Sequence, residues 1–173
     1  GACLEILEFR DVGLVLALVE AVHRYLSRHR QDAPTLAELL LRLGQAGEWR
    51  RLKGGIDAAI SADGSMKESA SPDLRRFMHQ ANDMKQQMRQ RLDQFLQSQR
   101  FAELLQEQYF AQREGRYVVP IKAEMQGRVP GIVHDVSASG ATVFLEPREL
   151  VDLNNGIKVA DLEVEREVRR ILR

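Results

Sequence analysis

The chain has 173 residues, with 25 basic and 25 acidic side chains that cancel. That is enough for one domain or two small ones, without the bulk charge that marks many nucleic-acid binders. The single cysteine, Cys3, excludes an intrachain disulfide and a multi-thiolate zinc site, and it fits a cytoplasmic setting.

Aromatic residues are sparse and Trp49 is the only tryptophan, which disfavours a base-stacking platform. The four histidines do not converge at metal-ligand spacing. No apolar run reaches the roughly 20 residues of a membrane span, and the opening residues lack the pattern of a signal peptide. There is no initiator Met, and the strongly helical last residues carry no stop signal. Both features predict a segment of a longer parent.

Taken in chain order, residues 8–29 read as a helix, with Val12, Val15, Leu16, Val19, Val22 and Leu26 on one stripe. Pro34 breaks it. Thr35 with Glu38 has the form of a capping box, opening a helix with Leu36, Leu39, Leu40 and Leu43 that Gly44 or Gly47 ends. A third short helix is predicted over 48–60, weakened by Gly54-Gly55. Residues 61–65 form a turn.

Ser71-Pro72-Asp73 is a helix start, with Ser71 as N-cap and Pro72 in the first helical position. No glycine or proline follows until Gly115. The expectation is one helix of about 40 residues, roughly 60 Å long. Its seam is Leu74, Phe77, Ala81, Met84, Met88, Leu92 and Phe95. Three β-prone runs come next, at 117–121, 132–136 and 141–145, separated by turns around Gly127–Gly131 and Ser137–Gly140. They read as a small antiparallel meander, with Pro120 placing its run at an edge.

Pro147 ends the sheet and opens a last helix with a second seam: Leu150, Leu153, Ile157, Ala160, Val164, Val168 and Ile171. Each seam needs a partner. Residues 72–100 carry a balance of +3 and residues 146–168 one of −4, which favours pairing of the two helices with each other. The predicted fold is therefore mainly α: a helical core, then two long antiparallel helices of coiled-coil type tipped by the meander.

Arg113, Arg116, Lys122 and Arg128 surround the β insert. They read either as phosphate contacts, which need only well-placed positive charge, or as a solvated surface interleaved with Glu114 and Glu124. His134-Asp135 are adjacent in a strand and point to opposite faces, which argues against a shared metal ion. Ser137 and Ser139 lack a group to orient a nearby imidazole, so a turn bonded through their hydroxyls is expected instead of a nucleophile. Asn154 reads as a buried asparagine that fixes register. Trp49 with Arg50 and Arg51 reads as an edge tryptophan beside solvated arginines. No residue is assigned to catalysis or to a metal.

The stretch Arg113–Lys122, the block Gly131–Pro147, Leu153-Asn154-Asn155, Asp63-Gly64-Ser65 and Ala70–Leu74 resemble the second MutS branch of bacteria, MutS-two. The resemblance covers residues 56–173, and before Ile56 it rests on helical pattern alone. It implies core helices (1–71), a first lever helix (72–113), a reduced clamp-like insert (114–147) and a returning lever helix (148–173).

For the parent, the resemblance implies a dimeric, cytoplasmic ATPase using ATP and Mg, often with a Smr endonuclease domain. Its roles would be binding branched DNA to suppress homologous recombination, mismatch-repair-like in ancestry, or rescuing collided ribosomes. No G-x-x-x-x-G-K-[ST] phosphate loop is present, and Lys53-Gly54-Gly55 lacks its spacing. The expected role is a core, lever and clamp segment that positions a DNA-binding region and couples it to a distant ATPase, with no enzyme activity or cofactor of its own. The alternative is an arm that grips a ribosome or protein partner without binding DNA.

Overall fold

The computed structural model describes residues 4–43 and 47–173. The chain is mainly helical with one four-stranded antiparallel sheet. It divides into two units, Gly1–Arg75 with Arg166–Arg173, and Arg76–Glu165. Among the described residues no helix is long and apolar enough to cross a membrane. Cys3 and Gly44 lie outside the described residues.

In the first unit, α1 (Ile6–Arg28), α2 (Pro34–Leu43) and α3 (Gly47–Ala59) form close to the predicted ranges. Their starts follow different residues from those expected. Pro34 itself occupies the first turn of α2, so Thr35 lies inside the helix. A reciprocal capping box sits at α1 instead, where the Glu8 carboxylate accepts the Glu5 N–H at 2.7 Å.

Of the stripe predicted for α1, Val15, Val19 and Val22 are exposed, and Val12, Leu16 and Leu26 are half-buried. The helix meets α3 through Gly13 instead, where a Cβ would lie 2.9 Å from Ile56 Cγ2. Glycine brings the two helices together there, so the contact face is set by backbone approach and not by the largest side chains. Lys53 on α3 lies near Glu20 of α1 and bonds Asp57 at 2.5 Å.

Ser71 caps α4 (Pro72–Gln97) as expected, accepting the Leu74 N–H at 2.9 Å. The same hydroxyl donates to Glu167 Oε1 at 2.5 Å. Glu167 lies near the end of α6 (Val151–Ile171) and is buried. It takes the place of an apolar residue between Val164 and Ile171, and the polar bonds make that tolerable.

The second unit holds the larger core. The seam predicted for α4 is buried or half-buried at every position, with Met88 and Leu92 fully enclosed. On α6, Ile157 and Ala160 are buried and Leu153 is half-buried. Within this unit, Lys85 of α4 bonds Asp161 of α6 at 2.7 Å, and a Cβ on Gly156 would touch Met84 Sδ at 3.3 Å.

α4 ends at Gln97 and not near residue 113, so at 26 residues it is about 39 Å long. Ser98 is extended (φ −70°, ψ 124°), and its carbonyl accepts the N–H groups of Phe101 and Ala102. The break needs no glycine or proline. Turning there stacks Phe101 on Phe95 at 3.8 Å and sends Leu104 and Leu105 into the core. That burial outweighs continued helix propensity. A short helix, α5 (Gln99–Ala102), follows.

The sheet contains β1 (Ala111–Arg113), β2 (Arg116–Lys122), β3 (Gly131–Val136) and β4 (Thr142–Pro147). Its order is β1-β2-β4-β3, so it is not a simple meander. The burial patterns give the reason. β2 and β4 are almost wholly buried and take the centre, whereas β3 is largely exposed and takes an edge.

Pro120 does not make β2 an edge strand, because it pairs with Phe144 of β4. Its missing N–H falls on the other side, beyond the last pair with β1, where its carbonyl accepts the Gln106 N–H. β1 escaped the sequence reading because its turn, Glu114-Gly115, is a two-residue hairpin with positive φ at both positions (51° and 76°).

Arg170 bonds both oxygens of Glu167, at 2.7 and 2.6 Å. With the Ser71 bond, these hold the Glu167 carboxyl down at about 2, against 4.5 when free. The folded state therefore gains from this carboxylate above pH about 4.5 and loses that gain as pH falls toward 2. We expect urea midpoints to decline through this window, and Glu167→Gln to remove part of the decline.

Candidate nucleic-acid interface

The sequence-predicted basic residues do not form one cluster. Arg113 and Arg116 flank the β1–β2 turn, while Lys122 ends β2. Arg116 and Lys122 stand six steps apart along the strand, roughly 20 Å. Arg128 closes the 3₁₀ turn after β2. A single phosphate cannot be held by all four.

Their local partners also differ. Arg113 donates to Asp135 Oδ2 at 2.8 Å, and its guanidinium lies 4.1 Å from the Phe144 ring centroid. Arg116 donates to Glu146 Oε1 at 3.0 Å. Lys122 Nζ donates to the Glu103 carbonyl at 3.1 Å. Among the described residues Arg128 has only a long contact to Met125 Sδ at 3.8 Å. Arg113 and Arg116 thus spend their charge on carboxylates of the insert, and Lys122 and Arg128 have no carboxylate partner among the described residues.

The partner of Arg116 opens onto a polar node that sequence reasoning missed. Glu146 is fully buried near the end of β4. Its Oε1 accepts from Arg116 and from Asn154 Nδ2 (2.8 Å), and its Oε2 lies 2.5 Å from His134 Nε2. A buried carboxylate is tolerable only with such partners. The signal available in the sequence was a lone acid inside an otherwise apolar strand, Val143-Phe144-Leu145-Glu146.

Asn154 completes the node from α6. Its Oδ1 accepts the Tyr117 N–H at 3.0 Å and its Nδ2 donates to the Tyr117 carbonyl at 3.1 Å. By the β2–β4 register, Tyr117 would face Pro147, which has no N–H to offer. The asparagine carboxamide supplies the missing rung. It fixes a strand to a helix, whereas sequence alone suggested register between helices.

His134 and Asp135 go to different partners, Glu146 and Arg113, across a register shift between Val133 and Asp135. Ser137 and Ser139 accept backbone N–H groups of Thr142 and Ala141 in the hairpin turn, at 3.1 and 3.4 Å. Arg50 lies over Trp49 at 5.0 Å.

No protein-family model matches this chain. It is 37% identical over 144 residues, or 83% of its length, to a protein of Thermotoga maritima named endonuclease MutS2. A protein of the same name from Symbiobacterium thermophilum is 36% identical over 99% of the chain, and one from Bacillus velezensis 32% identical over all of it. The chain is MutS2-family sequence. It spans only 18–22% of the length of these relatives.

The MutS2 likeness extends through the N-terminal helices, where the sequence motifs were weakest. Within this MutS2 segment the node at Glu146 ties β2, β3, β4 and α6 together, and two of the four predicted basic residues serve the insert's own packing.

Removing the Asn154 side chain should strand the Tyr117 backbone groups and one Glu146 bond. We expect Asn154→Ala to lose about 2–4 kcal/mol in urea unfolding. Arg116→Ala should likewise lose about 2–4 kcal/mol, because Glu146 stays buried without its cation. A role confined to holding phosphate would leave stability unchanged.

Proposed function

We propose that this chain supports and positions a nucleic-acid-gripping region of a MutS2-type protein, and performs no chemistry itself. α4 and α6 act as levers, and the sheet acts as the clamp-like grip between them in sequence. The observation that carries this reading is the Glu146–Asn154 node, which makes the sheet and the start of α6 move together. Packing along α4 and α6, at Met84–Gly156 and Lys85–Asp161, supports a stiff pair.

A load on the sheet would then displace α6 and bias an ATPase elsewhere in the parent, a coupling between sites that must be reciprocal. ATP, Mg and dimerisation belong to that parent. Lys122 and Arg128 hold phosphate on the sheet side, because their charge is not matched by a carboxylate. DNA, branched or structured, is the partner.

The second reading is an arm that grips a ribosome or another protein. The commitment of Arg113 and Arg116 to internal carboxylates favours it.

Fluorescence anisotropy with branched DNA across a salt series separates the two. We expect affinity to fall steeply with salt, and Lys122→Ala with Arg128→Ala to flatten the log–log slope by about 0.9 for each phosphate no longer neutralised. Absence of DNA binding at every salt concentration would leave the protein-gripping arm.

A further inference from the structure

Beside the sheet, the junction of α4, α5 and the start of α6 carries a hollow that the lever-and-clamp role does not use. One part, of about 360 Å³, is lined by Phe95, Phe101, Arg100 and Arg148, with Pro130 and Pro147. An adjoining part of about 200 Å³ shares Phe95 and Phe101 and adds Arg91. The larger part alone falls in the range of about 300–1,000 Å³ typical of ligand pockets.

Arg91, Arg100 and Arg148 are exposed, and none has an ion-pair partner among the described residues. One acid, Glu149, lines both parts and opposes them. Asp152 joins Glu149 in the next hollow, which Arg91 also lines, so three guanidiniums against two carboxylates leave the cleft positive in a chain whose total charge is zero.

The floor adds a second feature. Phe101 is half-buried, stacks on Phe95 at 3.8 Å, and has the Arg100 guanidinium 5.3 Å from its centroid. This is a ring-on-ring stack that ends in a planar cation beside exposed Pro130. Bases stack on aromatic rings and on arginine planes when they are unpaired. A duplex keeps its bases inside and offers such a floor nothing.

We infer that this cleft binds single-stranded nucleic acid, with phosphates on Arg91, Arg100 and Arg148 and a base laid against the Arg100–Phe101 stack. The inference deepens the proposed function, since it rests on the chain meeting nucleic acid. It adds a second grip, separate from Lys122 and Arg128 and suited to the unpaired nucleotides at a branch.

The test is anisotropy with fluorescein-labelled oligothymidine, a labelled duplex and labelled polyglutamate, on the full chain and on variants checked by thermal melting. Arg91→Ala/Arg100→Ala/Arg148→Ala should weaken oligothymidine binding at least tenfold. It should also flatten the salt slope by about 2, at roughly 0.7 per single-strand phosphate. Glu149→Gln should tighten binding. Phe101→Leu, which keeps an apolar side chain over Phe95, should weaken it about fivefold or more with the slope unchanged. Lys122→Ala/Arg128→Ala should weaken duplex binding more than oligothymidine binding.

Oligothymidine binding that ignores the three arginines overturns the cleft, and the proposed function stands if duplex or branched DNA still binds. Polyglutamate bound as tightly and released by the same substitutions also overturns it, in favour of an acidic protein partner. Loss of all nucleic-acid binding in the parent chain overturns both readings together.

Discussion

A carboxylate with no solvent exposure sits where the sheet meets the last helix. In a low-dielectric interior, an unpaired Glu146 carboxylate would cost the fold several kcal/mol. Three donors from three different elements meet it instead: Arg116 of β2, His134 of β3 and Asn154 of α6. Satisfying that one side chain ties β2, β3 and α6 to a single point on β4. Such a node fails as a unit, because removal of any donor leaves the others facing a charge.

The node also sorts the basic residues. An arginine that neutralises a buried acid is not available to a phosphate, whatever its sequence neighbourhood suggests. Arg113 is similarly held by Asp135 and the Phe144 ring. Among the described residues, Lys122, Arg128 and the cleft arginines Arg91, Arg100 and Arg148 have no carboxylate partner. Neutral total charge thus conceals local surfaces of positive sign, which is the quantity that matters for steering an anionic partner.

The second unit gains rigidity from two independent sources. Its apolar core joins α4, the two central strands and α6 around Met88, Leu92, Ile121, Leu145 and Ile157. The polar node lies beside that core and adds direction, since hydrogen bonds specify geometry that apolar contact does not.

The sequence by itself determined the mainly helical class, the seam of α4, the cap at Ser71, a last helix following the sheet and the MutS2 family. These follow from local periodicity and from contiguous motifs, and both survive in one dimension. Tertiary structure decided the rest. It ended α4 at Gln97 because burying Phe101, Leu104 and Leu105 outweighs helix continuation. It put β4 between β2 and β3 because the two most apolar strands take the centre of the sheet. It turned Arg116 inward because a residue thirty positions away is a buried acid. Pairing between distant residues has no signature in local spacing, so only the folded chain could assign those charges.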